Sequence, residues 1–166
     1  QNIAAYTKNN FVKDSLALGY GSIIYPYSGA STIFIDPTAS TNGTGTFASP
    51  YNIWPASIPN ESLVLIKEYS TLSISNITVT ATNLMVGSYD ADSGERVIDT
   101  QKLATISYGS TAKFFTLPTT GTFTLSGVRF ISSGAGTNNV IANTSTTLEL
   151  KIEYCLFANI SSLVSG

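Results

Sequence analysis

Histidine is absent from the 166 residues, and cysteine, methionine and tryptophan occur once each. Without histidine there is no Ser-His-Asp or Cys-His relay, and the commonest zinc and iron ligand sets cannot be assembled. One cysteine, Cys155, excludes an intrachain disulfide and any cysteine-cluster metal site. It lies in the apolar run Tyr154-Cys155-Leu156-Phe157 and reads as a small buried hydrophobe. Charge is scarce as well: charged residues make up 11% of the chain, against about 25% in an ordinary soluble domain. The net charge is -2 and no two basic residues are adjacent, so the footprint of a nucleic-acid binder is missing. The longest uncharged stretches hold Gly, Pro and many hydroxyls, as in Ser15–Ile35 with Gly19, Gly21, Pro26 and Gly29. None reads as a membrane span.

Ser and Thr stand in for the missing charges, at roughly a quarter of positions. A helical bundle needs Glu, Lys and Arg on its outer faces, whereas Thr, Val, Ile, Tyr and Phe suit strands. From Ser62 onward short strand-like runs recur between small polar turns: 63–66, 71–74, 77–80, 84–86, 96–98, 104–106, 113–115, 122–125, 128–131, 140–141, 147–152 and 155–157. Most are four residues or fewer, and no Asn-Gly hairpin turn separates them. That points away from a sandwich and toward a chain that turns corners.

A shift of 27 residues brings two of these segments into phase. Phe123 then meets Leu150, Leu125 meets Ile152, Val128 meets Cys155 and Phe130 meets Phe157, all apolar pairs. Thr124 meets Lys151 and Ser126 meets Glu153, both polar, and the alternation breaks together at Gly127 and Tyr154, as at a corner. This period predicts an all-β fold, a parallel β-helix, whose coils commonly take about 20 to 30 residues. Residues 62–166 would hold about four coils, each burying its inward Leu, Ile, Val and Phe between its neighbours. The expected organisation has three parts. Residues 1–31 form an arm or connector, with apolar spacing from Ile3 to Leu18 that permits a short amphipathic helix stopped by Gly19 and Gly21. Residues 32–61 form an opening strand and cap, with a turn of helix permitted near Ile53–Ile58, and residues 62–166 form the coils.

Ile33-Phe-Ile-Asp-Pro37, a Gly/Thr/Asn loop, Gly45-Thr-Phe-Ala-Ser-Pro-Tyr51 and Ser62-Leu-Val-Leu-Ile-Lys67 together resemble the opening of right-handed parallel β-helix proteins of the pectin-lyase-like superfamily. Leu84-Met-Val-Gly-Ser-Tyr89 and Gly94-Glu-Arg-Val-Ile-Asp99 resemble its next coil. The resemblance covers about residues 32–160 and departs at Tyr51-Asn-Ile-Trp-Pro55, where the family more often continues into a clear helix. It implies a right-handed coil with a short helical cap. Among its members the chain is most similar to the N-terminal part of a bacteriophage tailspike or tail fibre. Members of that kind imply a homotrimer of side-by-side β-helices, other virion tail proteins as partners of the arm, and host surface polysaccharide as the partner of distal parts. The bare end at Ser165-Gly166 adds the expectation of coils continuing beyond residue 166.

The candidate residues each carry two readings. Asp90, Asp92 and Glu95 alternate around Gly94 and offer oxygens to Ca2+, or form a solvated turn in which Arg96 neutralises a neighbour. Tyr20, Tyr25 and Tyr27 flank Pro26 and suit a partner interface, or pack along the coils. Tyr51 and Trp54, with Phe47, stack on a sugar ring or plug the open end of the first coil. Glu149, Lys151 and Glu153 share an outer face, with carboxylates about 7 Å apart along the strand, compatible with a glycosidase pair or with a salt-bridged surface strand. Five Asn-x-Ser/Thr triplets, at Asn42, Asn60, Asn76, Asn143 and Asn159, fit glycosylation or a chain rich in these residues. No catalytic constellation is assigned. The functional expectation is therefore structural attachment within a phage virion. A secreted bacterial polysaccharide lyase or hydrolase of the same fold, and a non-enzymatic surface adhesin, are the alternatives.

Overall fold

The structure, a computed structural model, describes residues 31–108, 113–132, 139–142, 147–160 and 162–165. The amphipathic helix expected within 1–30 lies outside these residues. The described residues are all-β, with no helix, and their strands run almost entirely parallel. In the first sheet β1 (Ser31–Ile35), β2 (Ser62–Lys67), β5 (Leu84–Tyr89), β9 (Thr120–Ser126) and β12 (Thr147–Glu153) are neighbours in that order. The second sheet orders β3 (Thr71–Ser73), β7 (Ala104–Tyr108), β10 (Val128–Ser132) and β13 (Leu156–Ala158). The third orders β4 (Ile77–Thr78), β8 (Lys113–Thr116), β11 (Asn139–Ala142) and β14 (Ser162–Ser165). From β2 onward the chain visits the first, second and third sheets in turn and then returns to the first.

The register read from the sequence is the register of the backbone. Phe123 lies beside Leu150 and Leu125 beside Ile152 in the first sheet, and Phe130 beside Phe157 in the second. Gly127 and Tyr154 share the same corner, both in the left-handed region at φ 74° and 51°. Asn76, Asn83 and Asn159 occupy that region at other corners, where Asn is the least strained residue after Gly. The step is not uniform, however. Ser62 pairs with Leu84, 22 residues on, and Leu84 with Phe123, 39 residues on.

The longer step contains β6 (Arg96–Val97), which pairs antiparallel with the end of β5 through Ser88–Val97 and Tyr89–Arg96. β9 takes the same side of β5 only over Leu84–Val86. The Ser88 hydroxyl closes the junction: it donates to the Gly127 carbonyl at 2.5 Å and accepts the Ala104 N–H at 2.9 Å.

Inward side chains of all three sheets form one core, with Val64, Ile66, Val86, Ile106, Leu125, Phe130 and Ile141 wholly buried. Each such side chain stabilises the fold by about 1.5–3 kcal/mol relative to exposure. An aromatic column runs through it. Trp54 lies 5.4 Å from Phe115, Phe115 lies 5.5 Å from Phe123, and Phe130 stacks on Phe157 at 5.5 Å and 7°.

Three expectations need correction. No helical turn forms near Ile53–Ile58; the segment is irregular because Pro50, Pro55 and Pro59 remove amide donors and hold their predecessors extended. β13 starts at Leu156, leaving Cys155 at the corner, half-buried rather than buried. The run expected over 77–80 is a strand only at Ile77–Thr78, and β14 was not among the expected runs.

Candidate functional site

The outer face of the first sheet gathers most of the chemistry-bearing side chains. Period-two alternation puts Leu63, Leu65 and Lys67 of β2 on it, followed across the sheet by Met85, Gly87 and Tyr89, then Thr122, Thr124 and Ser126, then Glu149, Lys151 and Glu153. The first two rows are apolar apart from Lys67, and Leu63, Leu65, Met85 and Tyr89 form a second buried cluster with Phe34 packed on it. The last two rows are hydroxyl and charge.

Arg96 joins the two halves. Its guanidinium donates to the Ser126 hydroxyl and lies 3.7 Å from Met85 Sδ. Gly87 makes this possible: a Cβ there would sit 2.8 Å from the Ser126 carbonyl oxygen, 3.3 Å from Leu65 and 3.4 Å from Arg96 Nε. A glycine inside an apolar strand marks such a close approach, and that was the one sequence signal for this contact. β6 points the Arg96 guanidinium back across the sheet, toward Ser126 and Met85. Lys102 lies beside the acidic turn, 3.8 Å from Glu68 and 4.0 Å from Asp90.

In that turn Asp90 Oδ1 accepts the N–H groups of Asp92 and Ser93 and the Ser93 hydroxyl, at 3.0–3.1 Å. The Ser93 bonds, followed by the Asp92 N–H and the charge of Lys102, hold the Asp90 carboxyl below its ordinary range. Asp92 and Glu95 are exposed, and among the described residues no group of three His, Cys, Asp or Glu is placed to hold a metal ion.

On β12 Lys151 lies 3.4 Å from Glu149, Glu149 accepts from Thr122 at 3.2 Å, and Glu153 lies 3.5 Å from the Ser126 hydroxyl. Glu149 and Glu153 are four residues apart, which is about 13 Å along a strand and not 7 Å. That exceeds the span of a glycosidase pair, about 5–9.5 Å, and Lys151 stands between them. The separation of about 7 Å belongs to each Glu–Lys step.

At the start of the sheet, the Asp-Pro motif builds a clasp. Asp36 accepts from Lys67 at 2.8 Å and from the Thr38 N–H and hydroxyl at 2.8 and 2.6 Å. Burial alone would raise the Asp36 carboxyl; the bonds from Lys67 and Thr38 and the charge of Lys67 outweigh it and hold it low. Burial, aided by the charge of Asp36, pushes the Tyr89 hydroxyl up to about 12.

The three aromatics grouped as a plug separate. Tyr51 and Trp54 pack against the main core, where Trp54 covers Phe115. Phe47 goes to the outer face, edge-on to Phe34 at 5.4 Å and Tyr89 at 6.0 Å, and remains 41% exposed. The loop that carries it is pinned by hydrogen bonds from Phe34 N–H to the Gly45 carbonyl and from Asp36 N–H to the Tyr51 carbonyl. Tyr20, Tyr25 and Tyr27 lie outside the described residues. Cys155 packs at the core margin, with burial pushing its thiol up. Asn42 and Asn60 spend their side-chain oxygens on the N–H groups of Asn52 and Thr82.

No helix among the described residues is long and apolar enough to cross a membrane. The chain matches no family model, no curated protein and no solved structure.

Proposed function

We propose that the chain is a right-handed parallel β-helix and serves as a structural attachment piece of a bacteriophage tailspike or tail fibre. The observation that carries this reading is the rotation of the chain through three parallel sheets around one core, with β9 and β12 in the 27-residue register. Crossovers between parallel strands of one sheet are almost always right-handed, which supports the hand. A stiff rod sheathed largely in hydroxyls suits a part that carries load and presents a distal receptor-binding or glycan-cleaving region to a bacterial surface. In this reading three copies stand side by side, and residues 1–31 dock on other tail proteins.

Immunogold microscopy with antibodies raised against the 166-residue protein tests this. The expected result is label on virion tails. Label confined to cell surfaces or culture fluid, with tails bare, overturns the reading in favour of an adhesin or a secreted polysaccharide enzyme.

A further inference from the structure

At the β1 end of the stack the core is closed by an irregular stretch rather than by a strand. Trp54, Pro55, Ala56 and Ile58 face residues 78–81, which continue from β4, across an open groove of about 230 Å3. Trp54 and Ile58 pack on the core yet stay half-buried, and Ile53 is 58% exposed. Pro55 and Pro59 lack amide donors, so this row cannot close itself with a full ladder. The end of a stacked core needs a cover, because each row buries its inner side chains only between neighbours.

The spacing of the chain selects that cover. A third-sheet strand stands four to eight residues ahead of the first-sheet strand that follows it: β4 ahead of β5, β8 ahead of β9, β11 ahead of β12. Residues 54–58 stand the same distance ahead of β2, and they do lie beside the β4 row. At that distance ahead of β1 stand Ile23, Ile24, Tyr25, Pro26 and Tyr27. These five carry no charge, and four of them bring a large apolar or aromatic side chain. One further step of the same rotation sets them against residues 53–58. We propose that residues 23–27, which lie outside the described residues, cover Ile53, Trp54 and Ile58 and close the core at this end. Pro26 has no N–H to give to a ladder, so the contact rests on side chains. Residues 1–22 are left for the tail contacts of the preceding proposal.

Trp54 is the only tryptophan, so its fluorescence reports on this row alone. Deleting residues 1–30 is expected to shift its emission to the red and to make it more readily quenched by acrylamide. Deleting residues 1–22 is expected to leave both unchanged. In the full chain, Ile24→Asp combined with Tyr25→Asp is expected to reproduce the larger deletion, with circular dichroism checking that the strands remain. A readout that needs no truncated chain is cross-linking: Ile24→Cys and Ile53→Cys, with Cys155→Ser, are expected to be joined within one chain by a short bismaleimide. Emission and quenching that stay unchanged in both the 1–30 deletion and the Asp variant overturn the proposal. So does a full change on deleting residues 1–22 alone, which moves the cover upstream. Cross-links formed only between chains also overturn it, by assigning the cover to a second copy. The contact lies within one chain and follows from the three-sheet rotation, so unlabelled virion tails would leave it standing.

Discussion

The first sheet is two materials joined edge to edge. β2 and β5 are buried along nearly their whole length, with Leu63, Leu65 and Met85 outward and Val64, Ile66 and Val86 inward. β12 alternates half-buried and exposed positions along all seven residues. The same backbone pairing runs through both halves. The sheet therefore does not need a dry outer face to form; its inner face and its ladder suffice. The apolar outer rows of β2 and β5 instead pack with what adjoins them on that face: Phe34 of β1 and Phe47 of the following loop meet Tyr89, and the Arg96 side chain meets Met85.

The sharpest way to break this comparison is to make the same change in both halves. Leu65→Ala is expected to cost about 2–5 kcal/mol in urea unfolding, because it opens a cavity in a sealed layer. Lys151→Ala on the same face should stay within about 0.5 kcal/mol. Similar losses at the two positions would show that the outer face is equally sealed throughout.

The corner residues give a second contrast. Gly127 and Tyr154 share left-handed geometry, yet a Cβ at Gly127 would collide with the Val97 carbonyl oxygen of the inserted hairpin. Gly127→Ala is expected to destabilise by about 2–3 kcal/mol, combining left-handed strain with that contact. Tyr154→Gly should fall within about 1 kcal/mol of the parent, since relief of strain is offset by added chain entropy. Thermal melts of the pair check both.

A third contrast concerns pH. The folded Tyr89 hydroxyl is raised from 10.0 to about 12. A raised acid contributes stability that is complete below the unfolded value and is lost as pH climbs through the folded one. Stability should therefore fall between about 10 and 12 in a step that Tyr89→Phe removes, measured by urea unfolding along an alkaline series. A step that survives the substitution would place the loss elsewhere.

Much of this architecture was legible in advance, and the reason is local. Strict alternation over Phe123–Ser126 and Leu150–Glu153, interrupted at Gly127 and Tyr154, specified both the 27-residue register and the corner, because a one-residue slip would turn every inward side chain outward. The outward placement of Glu149, Lys151 and Glu153 followed from the same rule. The 39-residue step did not follow, because a hairpin inserted at a corner breaks the period without breaking the stack. Nor did the separation of Phe47 from Trp54. Both read as aromatics in a Pro-rich loop, and the backbone hydrogen bonds that tie Gly45 and Tyr51 to Phe34 and Asp36 fix which face each one covers.

Composition and alternation were enough to establish an all-β chain with one buried face per strand, since these depend on each residue's own chemistry and on its neighbours two positions away. Which strands need a second covered face, and that Arg96 crosses Gly87 to reach Ser126, emerged only with the chain folded. Those contacts join residues 9 to 39 positions apart, and which of them form depends on how the backbone turns between them.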